Sequence, residues 1–320
     1  MHARRPRTRT VALTVAIGLL CAVGCSSDDG EASSPSTTGS EEVTTTTSPP
    51  PPPATSRSLA TTVEQAPDLP GYNLYRPVDL DATGAPLPVV VWANGGCVRH
   101  DATWSSMLER WAAAGFVVIA ITVPAEGQAE TAPASTADDQ AAAIDWAEEQ
   151  AAGTGPYAGR LDLERVVAAG NSCGGITSLG LAASDDRVRS VFVLSGSSVG
   201  PGATPEQAAA IMGEISVPVG FAVGGEEDIA RHEAMQDHDA LPAGVPGLVA
   251  GRRTFDHVVV STDEGALADV AEIGINWMDL SLNGNRAALA ALEGNPCGDC
   301  PAGLWTVTAK HLDSLVVPGG

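Results

Sequence analysis

Residues 165–183 read RVVAAGNSCGGITSLGLAA. Arg165 to Ala169 is a short apolar run suited to a buried strand, and Cys173 to Ala183 is an Ala- and Leu-bearing stretch suited to a helix. Between them stands Gly170-Asn171-Ser172-Cys173-Gly174-Gly175, a G-x-S-x-G in the strand, turn, helix setting that raises a serine on a strained elbow. Gly170 and Gly174 remove side chains that would collide where strand and helix cross. Ser172 then projects into a cleft as a nucleophile, and the Cys173 amide at the helix start points toward a developing oxyanion. The plainer alternative is a Gly-rich turn that binds phosphate or packs a helix.

Outward from this turn the same alternation continues. Pro88 to Trp92, Phe116 to Thr122, Val188 to Leu194 and Val217 to Val223 read as strands. Trp104 to Ala114, Ala137 to Ala152 and Ala266 to Leu280 read as helices, the last as a closing one, and Asp228 to Gln236 as a shorter helix. Apolar strands separated by helices predict an α/β fold whose mostly parallel sheet carries helices on both faces. Ser195 to Glu214 lies between two strands, as a lid or as an ordinary loop and helix.

The chain has 320 residues, with 39 acidic against 17 basic side chains and a formal charge of −22. In the first sixty residues Arg4, Arg5, Arg7, Arg9 and Arg57 balance Asp28, Asp29, Glu31, Glu41 and Glu42, so the excess falls on the remainder. Such a surface disfavours nucleic acid and anionic bilayers, because phosphate contact needs Lys and Arg, and Lys310 is the sole lysine. The basic start, the uncharged Val11 to Gly24 and the sequence Ala22-Val23-Gly24-Cys25 predict a signal peptide over 1–25. Its end is lipobox-like, with Ala22 where Leu is usual, which makes Cys25 a lipidation site. Residues 26–60, with Thr44 to Thr47 and Pro49 to Pro53, predict a disordered tether. One domain over 61–320 remains, exported and either lipid-anchored on the outer side of the membrane or secreted.

The segments VVVWANGGC (Val89 to Cys97), AGNSCGG (Ala169 to Gly175) and AVGGEEDIA (Ala222 to Ala230), with the late Trp277, Asn283-Gly284 and CGDC, resemble the α/β-hydrolase superfamily over roughly residues 70–312. Within it the chain looks most like the bacterial dienelactone hydrolase, platelet-activating-factor acetylhydrolase and polyester-hydrolase-like branch. The resemblance implies a Ser, acid, His order. It places the acid in the Gly225-Glu226-Glu227-Asp228 turn, at Asp228, with Glu226 and Glu227 as rivals. Of six histidines, His2 falls in the signal and His100 precedes the serine, while His232 and His238 follow the acid closely. His257 and His311 remain, and His257 stands where the last strand delivers a base, with His238 the next candidate.

The resemblance also puts Asn94-Gly95-Gly96-Cys97 at the family's His-Gly-Gly loop, so Gly96 or its neighbour Cys97 supplies the second oxyanion donor beside Cys173. Outside the cytoplasm, Cys97, Cys173, Cys297 and Cys300 are expected in disulfides. Cys297 with Cys300 closes a small loop, and Cys97 with Cys173 bridges two loops that face each other in this fold. The implied protein is a monomeric serine ester hydrolase of the carboxylesterase type, using Ser172, His257 and Asp228 on a small-molecule or polymeric ester. It needs no metal and no organic cofactor. The rival from another class is a non-catalytic surface lipoprotein on the same fold.

Overall fold

The alternation of side chains along each strand divides the apolar residues between the two faces of one sheet. The computed structural model describes residues 57–123, 132–200, 202–258, 262–294, 298 and 304–316. The signal and the tether up to residue 56, with Cys25, and the pair Cys297 and Cys300 lie outside these residues. Among them nine strands run in chain order: β1 (Thr61–Gln65), β2 (Tyr72–Pro77), β3 (Leu87–Ala93), β4 (Val117–Ile121), β5 (Leu161–Asn171), β6 (Val188–Leu194), β7 (Val219–Val223), β8 (Gly247–Arg252) and β9 (Trp305–Lys310). The helices are α1 (Ser105–Ala113), α2 (Ala137–Ala152), α3 (Cys173–Ser184), α4 (Pro205–Met212), α5 (Arg231–Ala240), α6 (Glu264–Asn283) and α7 (Arg286–Leu292).

The strands form one sheet in the order β1-β2-β4-β3-β5-β6-β7-β8-β9. Pairings from β4 through β3 to β8 are parallel, while β1 with β2, β2 with β4, and β8 with β9 are antiparallel. The expected α/β architecture holds. One face buries Val90, Trp92, Val118, Phe192 and Leu248 under α1 and α6, and the other buries Val89, Val91, Ile119, Val193 and Phe221 under α2, α3 and α5.

Aromatic residues are scarce, yet all six tryptophans are buried. Trp92 stacks edge-on to Trp111 at 5.6 Å, and Trp111 meets Phe192 at 5.9 Å, contacts that add about 1 kcal/mol each beyond burial. Trp277 of α6 lies across Gly220, where a Cβ would come within 2.6 Å of the indole, and its Nε1 donates to Val191 O at 2.8 Å. These contacts seat α6 on the centre of the sheet.

Several elements depart from the sequence reading. Ala266 to Leu280 is not the closing helix: α6 runs on to Asn283, and α7 and the edge strand β9 follow. The helix expected from Asp228 begins at Arg231, because Asp228 first spends its carboxylate on the N–H groups of Gly224 and Ala230 in a turn. The 195–214 segment is a loop followed by α4, which Thr204 and Gln207 start with a capping box. Residues 57–60, expected as the end of the tether, belong to the domain: the Leu59 N–H donates to Ala113 O at 2.9 Å.

Candidate active site

The elbow follows from its glycines. A methyl group on Gly174 would overlap Ala93 O, and one on Gly170 would overlap the Gly174 carbonyl, so the crossing of β3, β5 and α3 admits only hydrogen at these positions. Ser172 sits between them at φ 50° and ψ −115°, a conformation that costs a non-glycine residue about 1–3 kcal/mol. Its N–H donates to Leu194 O at 2.9 Å, which ties the turn to the end of β6.

The acid loop leaves β7 through Gly224 and Gly225. There the Gly225 N–H donates to Phe255 O at 2.9 Å, and a Cβ on Gly225 would stand 2.7 Å from Arg253 O. Two adjacent glycines thus let the loop carrying Asp228 lie backbone to backbone with the loop after β8 that carries His257. The second loop is anchored by buried Phe255, which packs edge-on against Trp305 of β9 at 6.5 Å. His257 lies in this loop and outside the β8 strand.

The consequence is a continuous line of bonds. Ser172 Oγ stands 2.9 Å from His257 Nε2, and His257 Nδ1 stands 3.0 Å from Asp228 Oδ1. An ionised carboxylate only accepts, so Nδ1 carries the imidazole proton and Nε2 is left to accept from the serine hydroxyl. The Asp228 side chain is fully buried, and burial by itself raises its carboxyl. Bonds from His257 and from the Ala230 and Gly224 amides outweigh that effect and hold it below the ordinary carboxylate range. Glu226 and Glu227, the rival acids, are exposed.

His238, the alternative base, is buried on α5, with Lys310 Nζ donating to its carbonyl at 2.5 Å. Neither ring nitrogen makes a hydrogen bond, although the exposed Asp239 carboxylate stands 3.5 Å from Nδ1. Burial first, then the Lys310 charge, lowers its imidazole below the usual 6.5. A folded-state value below the unfolded one means that the unfolded chain takes up the proton first as pH falls. The increment is therefore complete above about pH 6.5 and lost progressively below it. Thermal midpoints at pH 7.5 and pH 5 are expected to differ more for the wild type than for His238→Gln; equal differences contradict this.

The loop after β3 faces the elbow. Gly95 to Cys97 forms a short 3₁₀ turn with Gly96 at φ 62° and Cys97 at φ 53°. Asn94, in place of the family histidine, is fully buried and ties this loop down: its Oδ1 accepts from Trp92 Nε1 at 2.9 Å, and its Nδ2 donates to Ile121 O at 2.6 Å and Val98 O at 3.0 Å. Cys97 O accepts from the Ser135 N–H at 2.9 Å. Cys97 and Cys173 are joined in a disulfide with Cα atoms 5.2 Å apart. The loop is thus covalently fixed to the first residue of α3, whose N–H has no intrahelical acceptor.

Three supports were absent from the sequence reading. Asn171 Nδ2 donates to Leu194 O at 3.0 Å beside the elbow. Ser195 is buried at φ 41°, its N–H donating to Ala222 O at 2.7 Å. Asp101, also buried, accepts from Tyr75 Oη at 2.7 Å and from Asn73, holding the loop beyond Cys97 to β2. Only the placement of Asn171 within the G-x-S-x-G carried a signal. Among the described residues, no group of three or more His, Cys, Asp or Glu side chains is arranged to hold a metal ion.

A parallel sheet that lifts a strained serine from a strand end, with an imidazole and a carboxylate arriving from later loops, defines an α/β-hydrolase. A family model described as PET hydrolase-like matches residues 55–283, and the chain belongs to that family, whose members are serine ester hydrolases. The match starts upstream of the region that the motifs cover and ends with α6. No curated protein matches the chain.

Proposed function

We propose that the protein is an exported carboxylesterase-type hydrolase that works through an acyl-enzyme formed on Ser172. The observation that carries this reading is the chain of bonds from Ser172 Oγ through the His257 ring to Asp228. His257 Nε2 takes the hydroxyl proton as Oγ attacks the ester carbonyl carbon, and the oxyanion forms against the amides of Cys173 and Gly96. The imidazolium returns the proton to the leaving alcohol. Water then repeats the sequence on the acyl-enzyme and restores Ser172. Asp228 stays ionised and holds the ring in the tautomer that this requires.

Three exposed apolar side chains adjoin the working residues along the chain. Val98, Ile229 and Val258 are 49%, 68% and 66% exposed, and they follow the oxyanion loop, Asp228 and His257 along the chain. Exposed apolar side chains beside the three working loops suit an ester that presents an apolar face, a polymer chain included. Export rests on the basic start and apolar stretch before Cys25, and anchoring rests on lipidation of that cysteine.

The test is a p-nitrophenyl ester series of increasing acyl length on the domain from residue 57 onward, alongside Ile229→Ser. Turnover on every ester that is cleaved is expected to depend on Ser172. The Ile229→Ser variant is expected to raise KM for the longer acyl chains and leave acetate unchanged. Hydrolysis of no ester in the series sinks the reading.

A further inference from the structure

The loop after β6 is buried although it joins two surface-reaching elements: Ser195 and Ser198 are fully buried and Ser197 nearly so. The N–H of Ser195 donates to Ala222 O at 2.7 Å. Gly196 lies directly against the nucleophile's main chain, where a Cβ would stand 2.9 Å from Ser172 O and 3.1 Å from Ser172 N. This short segment therefore lies against the main chain of the proposed nucleophile and is tied to β7, the strand that leads into the Asp228 loop.

Its far end is gripped from α5. The Ser198 N–H donates to Asp237 Oδ2 at 2.5 Å, and Ser198 Oγ donates to Asp237 Oδ1 at 2.7 Å. Asp237 is itself fully buried. Burial, with a lesser push from the Glu233 carboxylate one turn back, raises its carboxyl to about 6 against the pull of the Ser198 bonds. A buried acid is costly unless hydrogen bonds compensate it, and both of its oxygens are committed to one residue of this segment.

We propose that Asp237 is a positioning residue for hydrolysis: by holding Ser198 it seats the Ser195 to Ser198 segment against the Ser172 main chain, and so sets where Oγ meets His257. The inference rests on Ser172 being the nucleophile. Reactions of this kind are sensitive to small displacements of the attacking atom, so loosening the backing is felt in turnover before it is felt in binding.

The hydrogen bonds are the working feature, which makes asparagine and leucine opposite substitutions. In Asp237→Asn the amide oxygen accepts from the Ser198 N–H while the NH₂ group donates to Ser198 Oγ. Asp237→Leu keeps the bulk and removes both partners. Kinetics on a short p-nitrophenyl ester, with thermal melts on each variant, are expected to show kcat about ten-fold lower and KM nearly unchanged in Asp237→Leu. Asp237→Asn is expected within about two-fold of wild type. Ser198→Ala keeps the main-chain bond and is expected to lose about three-fold in kcat, which keeps the test alive if the leucine variant fails to fold.

Wild-type kcat in a folded Asp237→Leu or in Ser198→Ala overturns the proposal, as does an asparagine variant as slow as the leucine one. Ser172→Ala run in parallel separates the two levels. Full activity there removes the nucleophile reading itself, whereas an inactive Ser172→Ala beside an unaffected Asp237→Leu removes only this inference.

Discussion

Ser172→Ala is expected to lower kcat by about 10⁴ to 10⁶ while KM for a short ester changes little. The size follows from the geometry. Removing Oγ deletes the atom that forms the acyl bond and leaves His257 Nε2 without the hydroxyl it now meets at 2.9 Å. The residual rate is what the oxyanion amides and substrate positioning give to attack by water. His257→Ala is expected to cost about as much, and the double variant no more than either, because base and nucleophile act as one unit. Independent, additive losses measured in steady-state kinetics contradict that coupling. The alanine relieves no backbone strain, since it meets the same left-handed φ of 50° as serine. Stability is therefore expected to stay close to wild type, and loss of turnover without loss of folding is the signature to look for.

Opening the Cys97–Cys173 bridge is the second large effect. The bond closes 76 residues of separation, and loop-closure entropy alone assigns it about 4.5 kcal/mol, or roughly a 10 °C fall in the melting midpoint of a domain of this size. The catalytic consequence is separate. In the proposed mechanism the Cys173 amide serves the oxyanion and Cys97 neighbours the other donor, so the bridge would set the spacing of the pair. Loss of an oxyanion donor costs about 10²–10³ in kcat, and a donor merely loosened costs a part of that, about ten-fold or more. A Cys97→Ser, Cys173→Ser protein assayed below its melting range is expected to lose kcat while KM holds. The Asn94 bonds and the Cys97 O to Ser135 N–H bond remain, which is why the loop is expected to loosen rather than detach. Unchanged kcat in the serine variant shows that those bonds alone hold the donors.

The central parallel strands are legible because burial on both faces favours apolar runs: PVVVW is apolar throughout, and VRSVFVL becomes so after Arg189 and Ser190. Edge strands are not. In β1, TTVEQ pairs antiparallel on one side only and keeps a solvated face, so it carries no apolar run. The interior strand β8, paired on both sides, was missed for another reason: GLVAGR is buried throughout but holds two glycines, one beside His238 and one beside Arg231, that side-chain pattern does not anticipate. Ser172 was readable from its glycine-flanked turn, whereas Asp228 and His257 were reached through the Ser, acid, His order that the family resemblance implies. Asp237 was reached by neither route. It sits mid-helix in RHEAMQDHDA, a mostly polar sequence in which nothing distinguishes the fully buried carboxylate from half-buried Glu233 and exposed Asp239. Only the arrival of the Ser198 loop makes it different.

The central claim is that the Ser172 hydroxyl is activated by His257, and covalent labelling addresses it most directly. A monofunctional organophosphate should add one equivalent per chain, mapped by peptide mass spectrometry to the segment containing Ser172. The rate of addition should collapse in His257→Ala and persist in His238→Gln. An adduct on another residue, no adduct in a folded protein, or an undiminished rate in His257→Ala contradicts the account.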